Sequence, residues 1–157
     1  MECVVCGGSA VKVVEERSGR YRDERVQVQS EFYRCEKCHE EFFSPDQATA
    51  HCRAVKNEVR KMHGLLLPDK IVEIRKKLAL NQAELEELLG TGPKVVVRWE
   101  NGKVIQTSGQ DNMLRLLDRD PGLVEKLRQI QRSRCDEREK YQQSAKSASK
   151  GLVARAV

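Results

Sequence analysis

The spacing of apolar residues changes once along the chain, from alternation near the amino terminus to helical spacing in the rest. Between Val11 and Tyr33, valines and aromatic residues alternate with polar ones, as in strands with one solvated face. This period predicts short antiparallel strands joined by a polar turn over residues 18–24. From Ser44 onward, apolar residues recur every three or four positions, which predicts a series of helices.

Capping signals set the limits of these helices. Ser44-Pro45-Asp46-Gln47 combines a serine cap, a proline and a glutamine that completes a capping box, so it predicts a helix over residues 45–62. Four basic residues of this helix, Arg53, Lys56, Arg60 and Lys61, are expected to form a solvated face. The later helices are expected over residues 69–80, over the stretch 81–102, from Thr107 or Ser108 to Asp118, and after Asp120-Pro121.

Residues 81–102, NQAELEELLGTGPKVVVRWENG, predict two short helices that meet at a glycine-rich turn. Asn81 can cap the first helix, with Glu84 completing a capping box, and Pro93 suits the first turn of the second. Lys94 and Arg98 lie one helical turn apart and can project from one face. Two helices joined in this way form a helix-turn-helix, whose second helix enters the DNA major groove.

The same stretch resembles the Xre/Cro-type helix-turn-helix, which commonly has a glutamine early in the first helix and an Arg-aromatic-Glu-x-Gly ending to the second. The resemblance implies that Gln82 approaches a DNA phosphate. A helical hairpin with a solvated basic face is the plain alternative.

Two CxxC pairs, Cys3/Cys6 and Cys35/Cys38, flank the region of alternation. Four thiolates brought together by a hairpin suit one tetrahedral Zn²⁺, and a sheet with so little core needs such a metal to fold. We therefore predict a structural zinc site made by these four cysteines.

Other cysteine chemistry fits the pattern less well. A thioredoxin-like role needs one CxxC at a helix start in a larger fold, haem attachment at Cys35-x-x-Cys38-His39 leaves the second CxxC unexplained, and a catalytic zinc would keep an open position. A zinc-based redox switch stays open. His39, His51 and Cys52 could each replace a ligand, and we expect His39 and Cys52 to be bystanders.

Composition adds a modest basic excess. The 157 residues carry a formal charge of +5, which is compatible with a polyanionic partner. No apolar run approaches the ~20 residues that span a bilayer, and no secretion signal begins the chain, so we expect a cytoplasmic protein with no membrane partner. No serine-histidine-aspartate set, paired carboxylates or phosphate loop indicates an enzyme.

The order of these parts resembles the MqsA (YgiT-type) antitoxins over roughly residues 1–130. The likeness is close in IVEIRKKLAL, residues 71–80, in the NQAE that follows, and in Leu114 to Asp118 ahead of Asp120-Pro121. It implies that the zinc domain binds a ribonuclease toxin, that the carboxy-terminal domain dimerises and represses its own operon, and that Lys94 and Arg98 read bases. Lys94 stands where the family has an asparagine, which implies a different operator.

The expected fold is therefore α+β: a small zinc-binding β module with four cysteine ligands and a connecting helix, then an all-α, five-helix Xre-type domain. We expect the zinc domain at 1–63, a linker at 64–68, the DNA-binding domain at 69–132 and a disordered tail at 133–157. The expected function is a homodimeric antitoxin that binds a palindromic operator and a toxin. A stand-alone regulator without a toxin is the alternative.

Overall fold

The structure, a computed structural model, describes the backbone of residues 1–153 and the side chains of residues 1–143. Within these residues the elements are β1 Ala10–Tyr21, β2 Glu24–Cys35, β3 Glu41–Phe42, α1 Pro45–Met62, α2 Pro68–Lys77, α3 Gln82–Leu89, α4 Val95–Glu100, α5 Ser108–Arg119 and α6 Leu123–Val153. A small sheet with its connecting helix thus precedes five helices, and the predicted α+β class is confirmed.

The sheet is a long hairpin with a short third strand, in the order β1-β2-β3. β1 and β2 pair from Ala10↔Cys35 to Tyr21↔Glu24, so only two residues form the turn. The prediction of a longer turn beginning at Ser18 is wrong. The polar residues there belong to a strand with a solvated face, and Arg22, with φ 54°, makes the tight reversal.

Helix α1 packs across one face of this hairpin. Its capping box is present, since Gln47 N–H donates to Ser44 Oγ at 3.3 Å and Ser44 N–H donates to Gln47 Oε1 at 3.0 Å. The predicted helix over residues 45–62 is confirmed. Val55 and Val59 of α1 meet Val26 and Val28 of β2 in a small cluster. Gly19 lets the helix approach closely, because a Cβ there would overlap the Val55 side chain.

The expected solvated basic face of α1 is wrong at Arg60, which is fully buried. Its guanidinium donates to Asn57 Oδ1 at 3.0 Å, to Gln106 Oε1 at 3.3 Å and to the Val104 carbonyl at 2.6 Å. Val104 and Gln106 lie in the loop after α4, so the residues that make this contact are far apart in sequence. Helical periodicity cannot reveal it, because the loop comes from the following domain.

The junction between the two domains is consequently packed. The Gln106 amide donates to the Leu66 carbonyl at 2.7 Å and to Asp111 Oδ1 at 3.0 Å, while Leu66 N–H donates to the same Asp111 oxygen at 2.7 Å. Burial alone would raise the pKa of Asp111, but the hydrogen bonds from Arg115, Leu66 and Gln106 lower it. Asp111 is thus held as a carboxylate at the junction.

The five following helices share one apolar core around Trp99. Its buried members are Leu66, Ile71, Ile74, Leu80, Leu85, Leu88, Val96, Trp99, Leu114 and Leu117. Helix α5 begins as its cap indicates, since Gln110 N–H donates to Thr107 Oγ1 at 3.3 Å. Asp120 ends α5, and its Oδ1 accepts from Gly122 N–H at 3.0 Å in the turn before α6, which begins at Leu123. No helix in the described part of the chain is long and apolar enough to cross a membrane.

Two expectations about this half are wrong. Pro93 lies in the turn ahead of α4, because that helix begins at Val95 after Lys94, whose φ is 62°. The tail expected to be disordered from residue 133 continues α6 as far as Val153. That stretch contains no proline and only one glycine, Gly151, and is rich in glutamine, lysine, arginine and alanine, which favour a helix. Residues 154–157 of the expected tail lie outside the described residues.

Candidate functional site

Two tight turns hold the four cysteines. The first contains Cys3 and Cys6 and closes through a hydrogen bond from Cys3 N–H to the Gly8 carbonyl at 2.8 Å. The second follows β2 and closes when Cys35 N–H donates to the Glu40 carbonyl at 2.9 Å. Gly8 lies between the turns, where a Cβ would stand 3.3 Å from Cys6 Sγ and 3.4 Å from Cys35 Sγ. A side chain there would crowd the sulfurs.

The pairing of β1 with β2 brings the two turns together. The sulfurs of Cys3 and Cys38 are 3.6 Å apart, and those of Cys6 and Cys35 are 3.5 Å apart. All four sulfurs lie within 4.8 Å of one another. Four thiolates on a tetrahedral Zn²⁺ are about 3.8 Å apart, given Zn–S bonds of ~2.3 Å. The arrangement therefore fits a closed structural zinc site.

Backbone amides favour the thiolate form of these ligands. The N–H groups of Cys38 and Lys37 point at Cys35 Sγ from 3.5 and 3.4 Å and lower the pKa of that thiol to about 6. The N–H of Glu40 has the same effect on Cys38, but burial and the neighbouring sulfurs raise its pKa to about 12. Several sulfurs so close together cannot all lose their protons without a cation to neutralise them.

The alternative ligands take no part in this cluster. His39 and Cys52 are exposed, and His51 Nδ1 lies 2.6 Å from Ser30 Oγ, beside the ring of Phe43. The metal group found among the described residues consists of Cys3, Cys6, Cys35 and Cys38. Each of the four positions that a tetrahedral zinc offers therefore has a cysteine.

The second candidate site is the helix-turn-helix formed by α3 and α4. The predicted capping box of α3 is present, since Glu84 N–H donates to Asn81 Oδ1 at 2.9 Å and Asn81 N–H donates to Glu84 Oε2 at 2.6 Å. Helix α3 ends at Gly90, whose φ of 63° is the left-handed conformation that glycine adopts readily. The turn therefore lies where the sequence indicates.

Helix α4 is capped from α3 by a buried carboxylate. Glu86 accepts from the N–H groups of Lys94 and Val96, each at 3.0 Å. The two oxygens satisfy donors that the first turn of a helix leaves unpaired, and their charge suits the positive end of the helix dipole. Sequence reasoning missed Glu86, because its partners lie eight and ten residues further along the chain.

At the other end of α4, Glu100 anchors the helix to α2 and α3. Its carboxylate accepts from Arg75 Nε at 2.6 Å and from Gln82 Nε2 at 2.6 Å. The hydrogen bond that Arg75 donates to Glu100 raises the pKa of Arg75. Gln82, predicted to contact a phosphate, thus has one of its two N–H donors engaged and one remaining.

Lys94 and Arg98, the predicted base-reading residues, are both exposed. Arg98 N–H donates to the Lys94 carbonyl at 3.3 Å, but Lys94, with φ 62°, is the cap residue ahead of α4, so only Arg98 lies on the helix itself. Two nearby basic residues, Lys70 and Lys77, form ion pairs with Glu73 and Asp118, each at 2.7 Å. The roles of Gln82, Lys94 and Arg98 in DNA binding stay predictions.

Comparison with known proteins agrees with both halves of this arrangement. Residues 1–128 match the family described as the antitoxin component of a bacterial toxin–antitoxin system, MqsA. The chain is also 28% identical to "Antitoxin MqsA" of Escherichia coli (strain K12) over 131 residues, which cover 82% of this chain and 100% of that protein. A match over most of the chain, with four cysteines arranged for zinc ahead of a helix-turn-helix, means that this protein belongs to the MqsA antitoxin family.

Proposed function

We propose that this protein is a cytoplasmic, non-catalytic antitoxin of a type II toxin–antitoxin pair. Its helix-turn-helix binds a palindromic operator and represses transcription, and its zinc domain binds a ribonuclease toxin. The zinc is structural: it holds the hairpin that carries the toxin-binding surface. Membership of the MqsA family supports the antitoxin role, and the geometry of α4 supports the role in DNA binding.

The DNA-binding proposal rests on one observation: helix α4 is fixed at both ends, while the basic side chains of Lys94 and Arg98 are exposed. Glu86 and Glu100 hold the two ends of α4 through hydrogen bonds of 2.6 to 3.0 Å. Arg98 on α4 and Lys94, the residue just before it, remain exposed. A rigid helix can place an arginine guanidinium against guanine O6 and N7 with two hydrogen bonds, which is a common specific contact in the major groove.

One copy of α4 reads only a few base pairs, so a dimer supports the specificity that repression needs. Two copies related by a two-fold axis would place their α4 helices in successive major grooves, about 34 Å apart. The operator would then be palindromic. Dimerisation through the carboxy-terminal domain follows from the family resemblance. Leu116 on α5 and Ile130 on α6, which are 50% and 54% exposed, are apolar residues available for it.

The test is the affinity of the zinc-loaded protein for its own promoter fragment. We expect Arg98→Ala to weaken specific binding by about 1–3 kcal/mol, or roughly 5- to 150-fold, because the contact to guanine is lost. Arg119→Ala is the matched control, since Arg119 is an exposed arginine of the same domain at the end of α5. It should leave specificity unchanged.

The toxin half of the proposal is tested by the protein encoded by the adjacent gene. Co-expression should give a stable complex, and the complex should lack the ribonuclease activity of the free partner. If the protein binds its operator but binds no such partner, it is a stand-alone zinc-containing regulator. If wild-type protein prefers its promoter no more than scrambled DNA, the DNA-binding half is wrong.

A further inference from the structure

Strand β1 lies at one edge of the sheet, with β2 on only one side of it. The amino-terminal residues cover the beginning of its other side, where Ala10 N–H donates to the Met1 carbonyl at 2.8 Å and Glu2 pairs with Ser9. On the β2 side, the Ser9 carbonyl accepts from Glu36 N–H at 2.9 Å. Neighbouring residues of β1 therefore direct their backbone groups to opposite sides, as antiparallel strands do.

This alternation identifies the backbone groups on the uncovered side. Since Ala10 directs its N–H and C=O outward, the following even-numbered residues do the same: Lys12, Val14, Glu16, Ser18 and Arg20. Across the described residues, no backbone–backbone hydrogen bond from outside the sheet reaches these five. A strand edge of this length can pair with a strand of another protein.

Exposed apolar side chains lie on β1 and in the turn ahead of it. Val4 and Val5, in the turn between the first two ligands, are 80% and 67% exposed, and Met1 and Val14 are both 63% exposed. Natural proteins usually protect an edge strand with charged residues, and here Lys12 and Glu16 stand on either side of Val14. An apolar patch beside an open edge indicates an interaction site for a protein.

Charge indicates which kind of protein fits. Residues 1–43 carry seven basic and nine acidic side chains, whereas residues 44–157 carry 22 and 15. Four thiolates on one Zn²⁺ add two further negative charges to the first segment. Residues 12–20 themselves carry three basic and two acidic side chains, so the acidic excess lies in the zinc turns at one end of the edge. A basic protein partner is favoured at that end, and DNA is disfavoured there.

We propose that a basic toxin binds by adding a strand to β1 along residues 12–20, with its apolar side chains against Val14, Val4 and Val5. This inference rests on the proposed antitoxin function and specifies how the zinc domain meets its partner. Backbone hydrogen bonds would supply much of the affinity, and the apolar patch would set the register.

The experiment compares two substitutions at Val14 in full-length, zinc-loaded protein, with the adjacent-gene protein as the probe. Val14→Pro removes an outward N–H and places a ring on the edge, which a sheet edge tolerates but an incoming strand does not. Val14→Thr keeps the N–H and the branched shape. We expect toxin affinity to fall at least about tenfold with proline and to change less than about threefold with threonine.

Hydrogen exchange of the wild-type complex gives a second readout that needs no variant. The amides of Lys12, Val14 and Glu16 should gain protection when the toxin binds, while those of Val11, Val13 and Glu15, which already face β2, should change little. Zinc content and operator affinity of Val14→Pro should match the wild type, because neither the cysteines nor α4 is altered.

Equal toxin affinity for both variants, without new protection on β1, would overturn the strand-addition proposal and leave the antitoxin function standing. Protection of these amides by operator DNA in place of the toxin would also overturn it. A wild-type chain that does not bind the toxin at all would remove both the inference and the antitoxin half of the proposed function.

Discussion

The zinc domain and the helix-turn-helix domain of this protein are stabilised in different ways. The zinc domain has a cluster of four buried valines between the hairpin and α1, and its far end is closed by cysteines. The second domain buries ten apolar side chains in one core, Trp99 among them. A hairpin cannot bury enough apolar surface to fold by itself, so the metal supplies what the core lacks.

This difference leaves each domain with a different surface for binding. The second domain is stabilised by its apolar core, and the two proposed DNA contacts, Lys94 just before α4 and Arg98 on it, are exposed. The hairpin is stabilised by the metal site at one end and by α1 across one face, and most of β1 keeps an open edge. The two stabilising mechanisms can therefore be broken separately, and each should reveal a separate function.

The largest effect should come from loss of the metal. Cys35→Ser removes a ligand from a site whose zinc affinity is typically worth about 10–16 kcal/mol, so the hairpin should unfold. Hydrogen exchange should show loss of protection in β1 and β2. Fluorescence of Trp99, the single tryptophan of the chain, should report a second domain that is still folded. Acid should act in the same direction, because protonated thiols release zinc.

Cys52→Ser is the matched control, since Cys52 is an exposed cysteine outside the metal group. It should leave both domains unchanged. A Cys35→Ser protein whose hairpin keeps its protection would contradict the view that the metal holds this domain.

A smaller effect, confined to the other domain, should follow from Leu114→Ala. Leu114 is fully buried in the core around Trp99, and truncating such a leucine costs about 2–5 kcal/mol. Urea unfolding followed by Trp99 fluorescence should show the loss, while zinc content stays the same. Asn112→Ala, at an exposed position two residues away, should cost less than about 1 kcal/mol. Equal losses for the two variants would argue against this packing.

The smallest of the three effects should appear at the junction. Gln106→Met removes the amide that joins Arg60 of the zinc domain to Asp111 of α5, leaving a buried guanidinium with fewer acceptors. We expect a loss of about 1–3 kcal/mol and less cooperative unfolding of the two domains. Gln129→Met, at an exposed position on α6, is the control. Unchanged coupling in Gln106→Met would mean that the domains contact without stabilising each other.

Local signals in the sequence were sufficient for much of the fold. Ser44 with Gln47 and Asn81 with Glu84 identify the starts of α1 and α3, because a cap depends on residues three positions apart. The paired cysteines identify the metal group, because ligand type and spacing are visible without the fold. The α+β class followed from the change of period near Ser44.

Contacts between segments that are distant in the chain could not be predicted from the sequence. Arg60 was expected in solvent because its burial depends on the loop around Gln106, 46 residues further along. Glu86 was missed because its partners are the amides at the start of the next helix. The open edge of β1 also depends on strand order, which alternation alone does not determine.

The central claim, that α4 reads DNA through Lys94 and Arg98, is tested most directly by a ratio of affinities. The affinity for the promoter fragment divided by that for scrambled DNA of equal length should be measured at one salt concentration for wild type and Arg98→Ala. We expect a wild-type ratio of at least about 10³, and a roughly 5- to 150-fold lower ratio in the variant with nonspecific affinity nearly unchanged. An unchanged ratio in Arg98→Ala, or no preference in the wild type, would contradict the claim.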